Sequence, residues 1–357
     1  LPLSLLPRFT VKTKERGRYI LTNWKNNLNL SKFSHIYVED RVLQHENTKI
    51  ILSKLKNSKI IRIKHYKDVF CRHNQTFSVQ KRSAKLILAY NDGNLIYEGA
   101  KVCDDFGNKY FYYTSSIMNC VYNCEYCYLQ GMYSSANIVV FVNIEDVFYQ
   151  ISCILKKHPA YICISYDTDM MALEGITGFL KKWMKFVGEN DNLKIEVRTK
   201  SSNFKSIENI KPMDNVILAW TISPNEIVRN YEAGTPDLDS RLKSAKNALD
   251  NGWRVRICFD PILYVENWDK YYKKCIEETF RVIPANKIQD VSIGVFRVSK
   301  NYFKNMVRLN PRSLLLAYPF EIQDGVCTYS EMHHRKMTNF VYSIVSNYVD
   351  RNKIFVQ

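Results

Sequence analysis

The sequence predicts an α/β fold assembled from repeated strand–helix units, on three observations. First, from residue 109 onward, short runs rich in β-branched and aromatic residues alternate with amphipathic stretches. Second, these runs recur every roughly 30 to 50 residues, which suits parallel crossovers, since paired parallel strands need a dozen or more residues between them. Third, 357 residues with 46% hydrophobic and 13% aromatic content supply a sizeable core and exclude a disordered chain.

In chain order, residues 1–107 form a basic N-terminal α/β region. The opening LPLSLLPRF is too short and Pro-interrupted for a secretory signal, and it lacks a Met, so the sequence is read as trimmed or partial. Residues 46–57 carry Ile50, Ile51 and Leu55 at helical spacing, and 60–66 (IIRIKHY) follow as a strand. Basic loops around Arg72 and Lys81–Arg82 come next. The stretch 86–99 (LILAYNDGNLIYEG) reads as two short strands about the turn Asn91–Asp92–Gly93.

Residues 108–295 hold the repeating units. Strands are expected at 110–115, 161–165, 193–199, 216–222, 254–259 and 288–295, and helices at 145–157, 176–187, 204–210, 238–251 and 268–280. Six strands with five intervening helices argue for a parallel sheet. Periodicity does not separate a partial barrel from an open, doubly wound sheet.

Residues 296–357 differ again. Within 296–312 the bases Arg297, Lys300, Lys304, Arg308 and Arg312 are unaccompanied by any acid, at steps of three, four, four and four. On a helix these share one face, either a solvated face or a stripe that contacts phosphates.

Charge points the same way. The net charge is +16, and residues 1–100, with 19 basic and 7 acidic side chains, carry +12 of it. A polyanionic partner is expected, nucleic acid before membrane, because no basic amphipathic helix with a bulky apolar face stands out. No run of eighteen apolar residues occurs, so no membrane-spanning helix is expected.

Seven of the ten cysteines, at 71, 103, 153, 163, 258, 275 and 327, are scattered among apolar or helical segments and read as free, buried thiols of a cytosolic protein. Cys120, Cys124 and Cys127 are bunched as C-x3-C-x2-C just after the first strand of the repeating region. Three thiolates at this spacing can hold three corners of a cubane iron–sulfur cluster and leave the fourth iron open. That open iron can chelate S-adenosylmethionine and pass it an electron. A structural zinc site is the alternative, but no fourth Cys or His follows at short spacing. In parallel architectures the loops beyond the strands' C-terminal ends, where this motif lies, hold the active site.

The motif, with Tyr126 immediately before the third cysteine, is similar to the radical-SAM signature, and NCVYNCEYCYLQ resembles the cluster loop of spore photoproduct lyases. The resemblance extends to NYEAGTPDLDSRLKSA (230–245), to NGWRVRICFDPILYVENW (251–268) and upstream to LILAYNDG. It covers most of 35–300 and weakens over the last 55 residues. It implies a partial (β/α)6 radical-SAM barrel with N-terminal and C-terminal additions forming a DNA-binding face. It also implies a 4Fe-4S cluster on the three cysteines and S-adenosylmethionine as cofactors. Matching VRTKS and WTIS to the family places Lys200 and Thr221 at S-adenosylmethionine-contacting positions, and Tyr126 and Tyr128 become members of a radical-return path.

The implied reaction is a lyase reversal of 5-thyminyl-5,6-dihydrothymine, the methylene-bridged thymine dimer, in DNA. A monomer is expected in the cytoplasm of a spore or germinating cell, reduced by an external flavodoxin- or ferredoxin-type donor. One position departs from the family. Known members carry a hydrogen-donating Cys after the second strand, and the register set by Thr168–Asp169 and Leu173–Glu174 puts Tyr166 there. Cys163, three residues earlier, is expected on the opposite strand face. Tyr166 or Cys163 therefore takes the donor role, or the chain runs another radical-SAM reaction on nucleic acid. A non-catalytic iron–sulfur or zinc protein that binds nucleic acid is the reading of a different class.

Overall fold

The computed structural model describes residues 33–100 and 102–357, so the LPLSLLPRF segment and the first part of the basic 1–107 region lie outside the described residues. The chain runs β1 (His35–Glu39), α1 (Glu46–Lys54), β2 (Lys59–Ile63), α2 (Lys67–Phe70), α3 (Phe77–Lys81), β3 (Leu86–Ala89), β4 (Ile96–Glu98) and β5 (Phe111–Thr114). It continues through β6 (Ile117–Met118), β7 (Asn123–Cys124), α4 (Leu129–Met132), β8 (Ile138–Phe141), α5 (Ile144–Leu155) and β9 (Ala160–Cys163). Next come α6 (Met170–Thr177), α7 (Phe179–Gly188), β10 (Leu193–Thr199), β11 (Val216–Thr221), α8 (Asn225–Tyr231), β12 (Glu232–Ala233), α9 (Leu238–Asp250) and β13 (Arg254–Ile262). The last elements are α10 (Trp268–Val282), β14 (Asp290–Val295), β15 (Arg297–Ser299), α11 (Lys300–Leu309), β16 (Glu321–Gln323), β17 (Val326–Thr328), α12 (Glu331–Val345) and β18 (Ile354–Val356).

Strand order settles what periodicity left open. The larger sheet reads β18-β14-β13-β11-β10-β9-β5-β4. Its six inner strands are mutually parallel and follow one another in sequence order. A doubly wound sheet reverses order at a switch point. None exists among these six, so the winding is that of a partial barrel. Its strands are nearly continuous apolar runs because helices cover them; in β11, VILAWT, every residue is buried.

A smaller sheet, β2-β1-β3-β8-β6, lies beside it. The expected strands at 86–99 both form but do not pair with each other. β3 joins the smaller sheet, while β4 crosses to the edge of the larger one and pairs antiparallel with β5. β8, which had no counterpart in the expected strands, returns to pair parallel with β3. Sheet membership thus cuts across residue 107, and the cysteine-rich segment leaves the smaller sheet at β6 and rejoins it at β8.

Two helices also differ from expectation. The stretch 176–187 breaks at Gly178, whose φ of 69° lies in the left-handed region and closes α6 before α7 begins. The stretch 204–210 forms only a single 3-10 turn at Phe204–Ser206. Asp169 caps α6 by accepting from the Ala172 N–H, and Asp237 caps α9 through the Ser240 N–H. Among the described residues, no helix is long and apolar enough to cross a membrane.

Candidate active site

The C-terminal ends of the larger sheet's strands open into a cavity of about 590 Å³. Cys120, Cys124 and Cys127 all line it, as do Lys200, Thr221 and Tyr166. The cysteine loop is held from several directions. Asn119 turns it with φ 68°, and its side-chain amide donates to the carbonyls of Ser135 (2.7 Å) and Asn137 (2.8 Å). β7 pairs antiparallel with β12, which sets Cys124 opposite Glu232, and the Glu125 N–H donates to the Tyr231 carbonyl at 2.7 Å. Lys81 on α3 donates its ammonium to the Cys120 carbonyl. From the other side α11 sits on α4, with Asn305 donating to the Gly131 carbonyl at 2.8 Å. A Cβ at Gly131 would come within 2.1 Å of the Tyr302 carbonyl oxygen, so only glycine allows this contact.

The thiols suit an iron–sulfur cluster. Burial pushes the Cys120 thiol up to about 11 and raises Cys124 and Cys127 as well. A cationic cluster would offset that penalty by binding the thiolates directly. Among the described residues no three His, Cys, Asp or Glu side chains converge as ligands of a single ion. Cys120, Cys124 and Cys127 stand as three thiols along one cavity wall.

Beside them lies a buried charge network. Burial works against the charged form of Lys200, yet Cys124 and Glu232 hold its pKa above the ordinary value. Its ammonium stands 5.5 Å over the Tyr126 ring, and the Lys200 backbone N–H donates to Asp169 Oδ2 at 2.7 Å. Glu232 is fully buried; burial opposes its ionisation, but Arg241 and Lys200 bring its carboxyl down to about 2. It accepts from Arg241, from the Tyr126 hydroxyl and from Ser223 Oγ at 2.8 Å. Arg241 also donates to the Thr221 carbonyl at 3.1 Å. Glu232 and Arg241 escaped individual notice in the sequence, although both lie in the 230–245 stretch.

The tyrosines divide between two environments. Tyr126 is committed to Glu232, whereas the Tyr128 hydroxyl donates to the Tyr166 carbonyl at 2.6 Å. The Tyr166 ring stacks on Tyr113 at 4.1 Å and lies 5.7 Å from Tyr128. Cys163 is not on the far side from Tyr166. β9 ends at Cys163 and the chain turns, so two-residue alternation no longer applies, and both residues line the cavity. A thiol read from sequence as merely scattered, Cys103, lines the cavity too, with its sulfur 4.0 Å from the Tyr166 hydroxyl. No local sequence signal marked it.

Arg297 leaves the expected basic stripe. It sits on β15 ahead of α11, and its guanidinium pairs with Asp260 at 2.8 Å and donates to the Val102 carbonyl at 2.7 Å. The strand places it in the cavity wall because the helix starts only at Lys300. Lys300, Lys304 and Arg308 do share an exposed face of α11, and Arg312 is exposed just beyond it.

Comparisons with known proteins identify the family. A family model described as spore photoproduct lyase matches residues 33–315. The spore photoproduct lyase of Clostridium acetobutylicum is 25% identical over 166 residues, 45% of this chain and 49% of the relative. That of Bacillus subtilis is 24% identical over 205 residues, 54% of this chain and 60% of the relative. The chain thus aligns with 49% to 60% of these relatives' lengths. A solved spore photoproduct lyase variant with bound AdoMet and dinucleoside spore photoproduct superposes with a TM-score of 0.79 at 19% identity. The superposition covers 91% of this chain and 98% of that one. A second solved spore photoproduct lyase, complexed with the dinucleoside spore photoproduct, gives the same TM-score, coverage and identity. With the family match spanning the smaller sheet, all of the larger sheet except β18, and the cysteine loop, the chain belongs to the spore photoproduct lyase family.

Proposed function

We propose that this protein is a radical-SAM lyase that reverses 5-thyminyl-5,6-dihydrothymine in DNA to two thymines. The observation that carries the reading is the meeting of three cluster-type thiols, a half-buried lysine and a thiol–tyrosine pair in one cavity of a partial barrel. A 4Fe-4S cluster and S-adenosylmethionine, when bound, supply a 5′-deoxyadenosyl radical able to take the hydrogen at C6 of the lesion.

Cys120, Cys124 and Cys127 would hold the cluster. Lys200 would offer a half-buried cation to the cofactor's carboxylate, with Thr221 on the same wall. The pairing of β7 with β12, together with Lys81 and α11, keeps the loop in place, so that reacting groups meet in a fixed geometry. The cavity walls shield the reacting groups from stray hydrogen donors. Tyr128, whose ring lies 5.7 Å from that of Tyr166, fits a radical-return path better than Tyr126, which is held by the Glu232 carboxylate. Lys300, Lys304 and Arg308 face outward for DNA phosphates, and the lesion leaves the base stack to enter. The electron donor is of flavodoxin or ferredoxin type, and the protein acts as a monomer inside the spore or germinating cell.

The test is anaerobic turnover of the reconstituted protein with S-adenosylmethionine, dithionite and the dinucleoside lesion. Thymine release with 5′-deoxyadenosine supports the reading. Formation of 5′-deoxyadenosine with an untouched lesion would point to another radical reaction on nucleic acid, and no 5′-deoxyadenosine would leave only a binding protein.

A further inference from the structure

We propose that Cys103 is the hydrogen-atom donor that quenches the product thymine radical, an assignment that rests on the repair reading above. Two non-cluster thiols near the front of the cavity are candidates, together with the phenol of Tyr166. Cys163 is a strand residue, buried and paired in register with Glu196 and Tyr113. Cys103 belongs instead to the loop between β4 and β5, keeps partial exposure, and sets its sulfur 4.0 Å from the Tyr166 hydroxyl.

That loop is pinned on both sides of the thiol. Arg297 binds the Val102 carbonyl at 2.7 Å while paired with Asp260. Phe106 lies under the Arg256 guanidinium at 3.2 Å, and Arg256 is itself fixed by Glu196 and Asp290. The Cys103 N–H donates to the Ala100 carbonyl at 2.9 Å, completing a turn. The phenol beside it is equally fixed, by its stack on Tyr113, which in turn stacks on Tyr97 at 5.1 Å. Sulfur and phenol are therefore held as a rigid pair, the preorganisation that hydrogen-atom transfer demands.

The step balances without a further reagent. The S–H bond of Cys103 breaks homolytically, a C–H bond forms at the methylene radical left on the released thymine, and the unpaired electron moves to sulfur. No proton or electron pair leaves. Tyr166 is then a positioning residue, its oxygen orienting the thiol.

Two measurements test this on the reconstituted holoenzyme. With the dinucleoside lesion present, alkylation of Cys103 by iodoacetamide, read by peptide mass spectrometry, should fall while that of exposed Cys71 does not; unchanged labelling of Cys103 overturns the assignment. In turnover, Cys103→Ser keeps the side chain's size but not its weak S–H bond. Lesion should still be consumed, with clean thymine falling about ten-fold or more in favour of dithionite-derived adducts. Clean thymine from Cys103→Ser overturns the proposal and leaves the repair reading standing. Diversion in Cys163→Ser or Tyr166→Phe, with none in Cys103→Ser, overturns it in favour of those groups. No lesion consumption by the parent protein overturns the underlying reading instead.

Discussion

Replacing Glu232 with Ala should destabilise the protein and loosen the cysteine loop together. Glu232 and Arg241 are both fully buried, and among the described residues the carboxylate is the one acid ion-paired with that guanidinium. Removing one member of such a pair strands the other in low dielectric, which costs roughly 3–5 kcal/mol. The acidity of Glu232 gives a matching size. Its carboxyl is held at about 2 against an ordinary 4.5, and 2.5 units at about 1.36 kcal/mol each is about 3 kcal/mol. Because the native value is depressed, this contribution is present above pH 4.5 and is lost as pH falls towards 2. The assay is urea unfolding at neutral pH, alongside the iron retained after reconstitution, since the Glu232 backbone pairs with Cys124. Glu232→Leu combined with Arg241→Met should recover much of the loss, because no charge is stranded. A single-variant loss below about 1 kcal/mol, or no coupling in the double-mutant cycle, would refute the reasoning.

Three further outcomes are expected. Changing any of Cys120, Cys124 or Cys127 to Ala should abolish both iron retention and 5′-deoxyadenosine production, while Cys71→Ala or Cys275→Ala, measured the same way, should affect neither. Replacing Lys300, Lys304 and Arg308 together by Gln should flatten the log–log salt dependence of DNA binding by up to about three; an unchanged slope would move the DNA contact elsewhere. Burial raises the Glu174 carboxyl from 4.5 to about 7, so stability present below pH 4.5 should be lost as pH rises through 7. Urea midpoints across that window should show the decline in the parent and a flat profile in Glu174→Gln.

What the sequence by itself determined is what depends on neighbours along the chain. The apolar runs became the six parallel strands because a strand covered on both faces is written as a continuous apolar stretch, as β11 is. The three cluster cysteines were legible for the same reason, since one short loop carries all of them. The basic face of α11 was legible from Lys300 to Arg308, where helical spacing holds, and failed at Arg297, where a strand intervenes. Tertiary structure decided everything that joins distant segments. Strand order chose a partial barrel over a doubly wound sheet, and β8 returned to a sheet begun 100 residues earlier at β1. Long-range pairing set Glu232 against Cys124, brought Arg297 onto Asp260, and carried Cys103 to Tyr166 across 63 residues. Such contacts leave no local period or motif, because their partners are chosen by how buried surfaces and charges are satisfied once the sheets have formed.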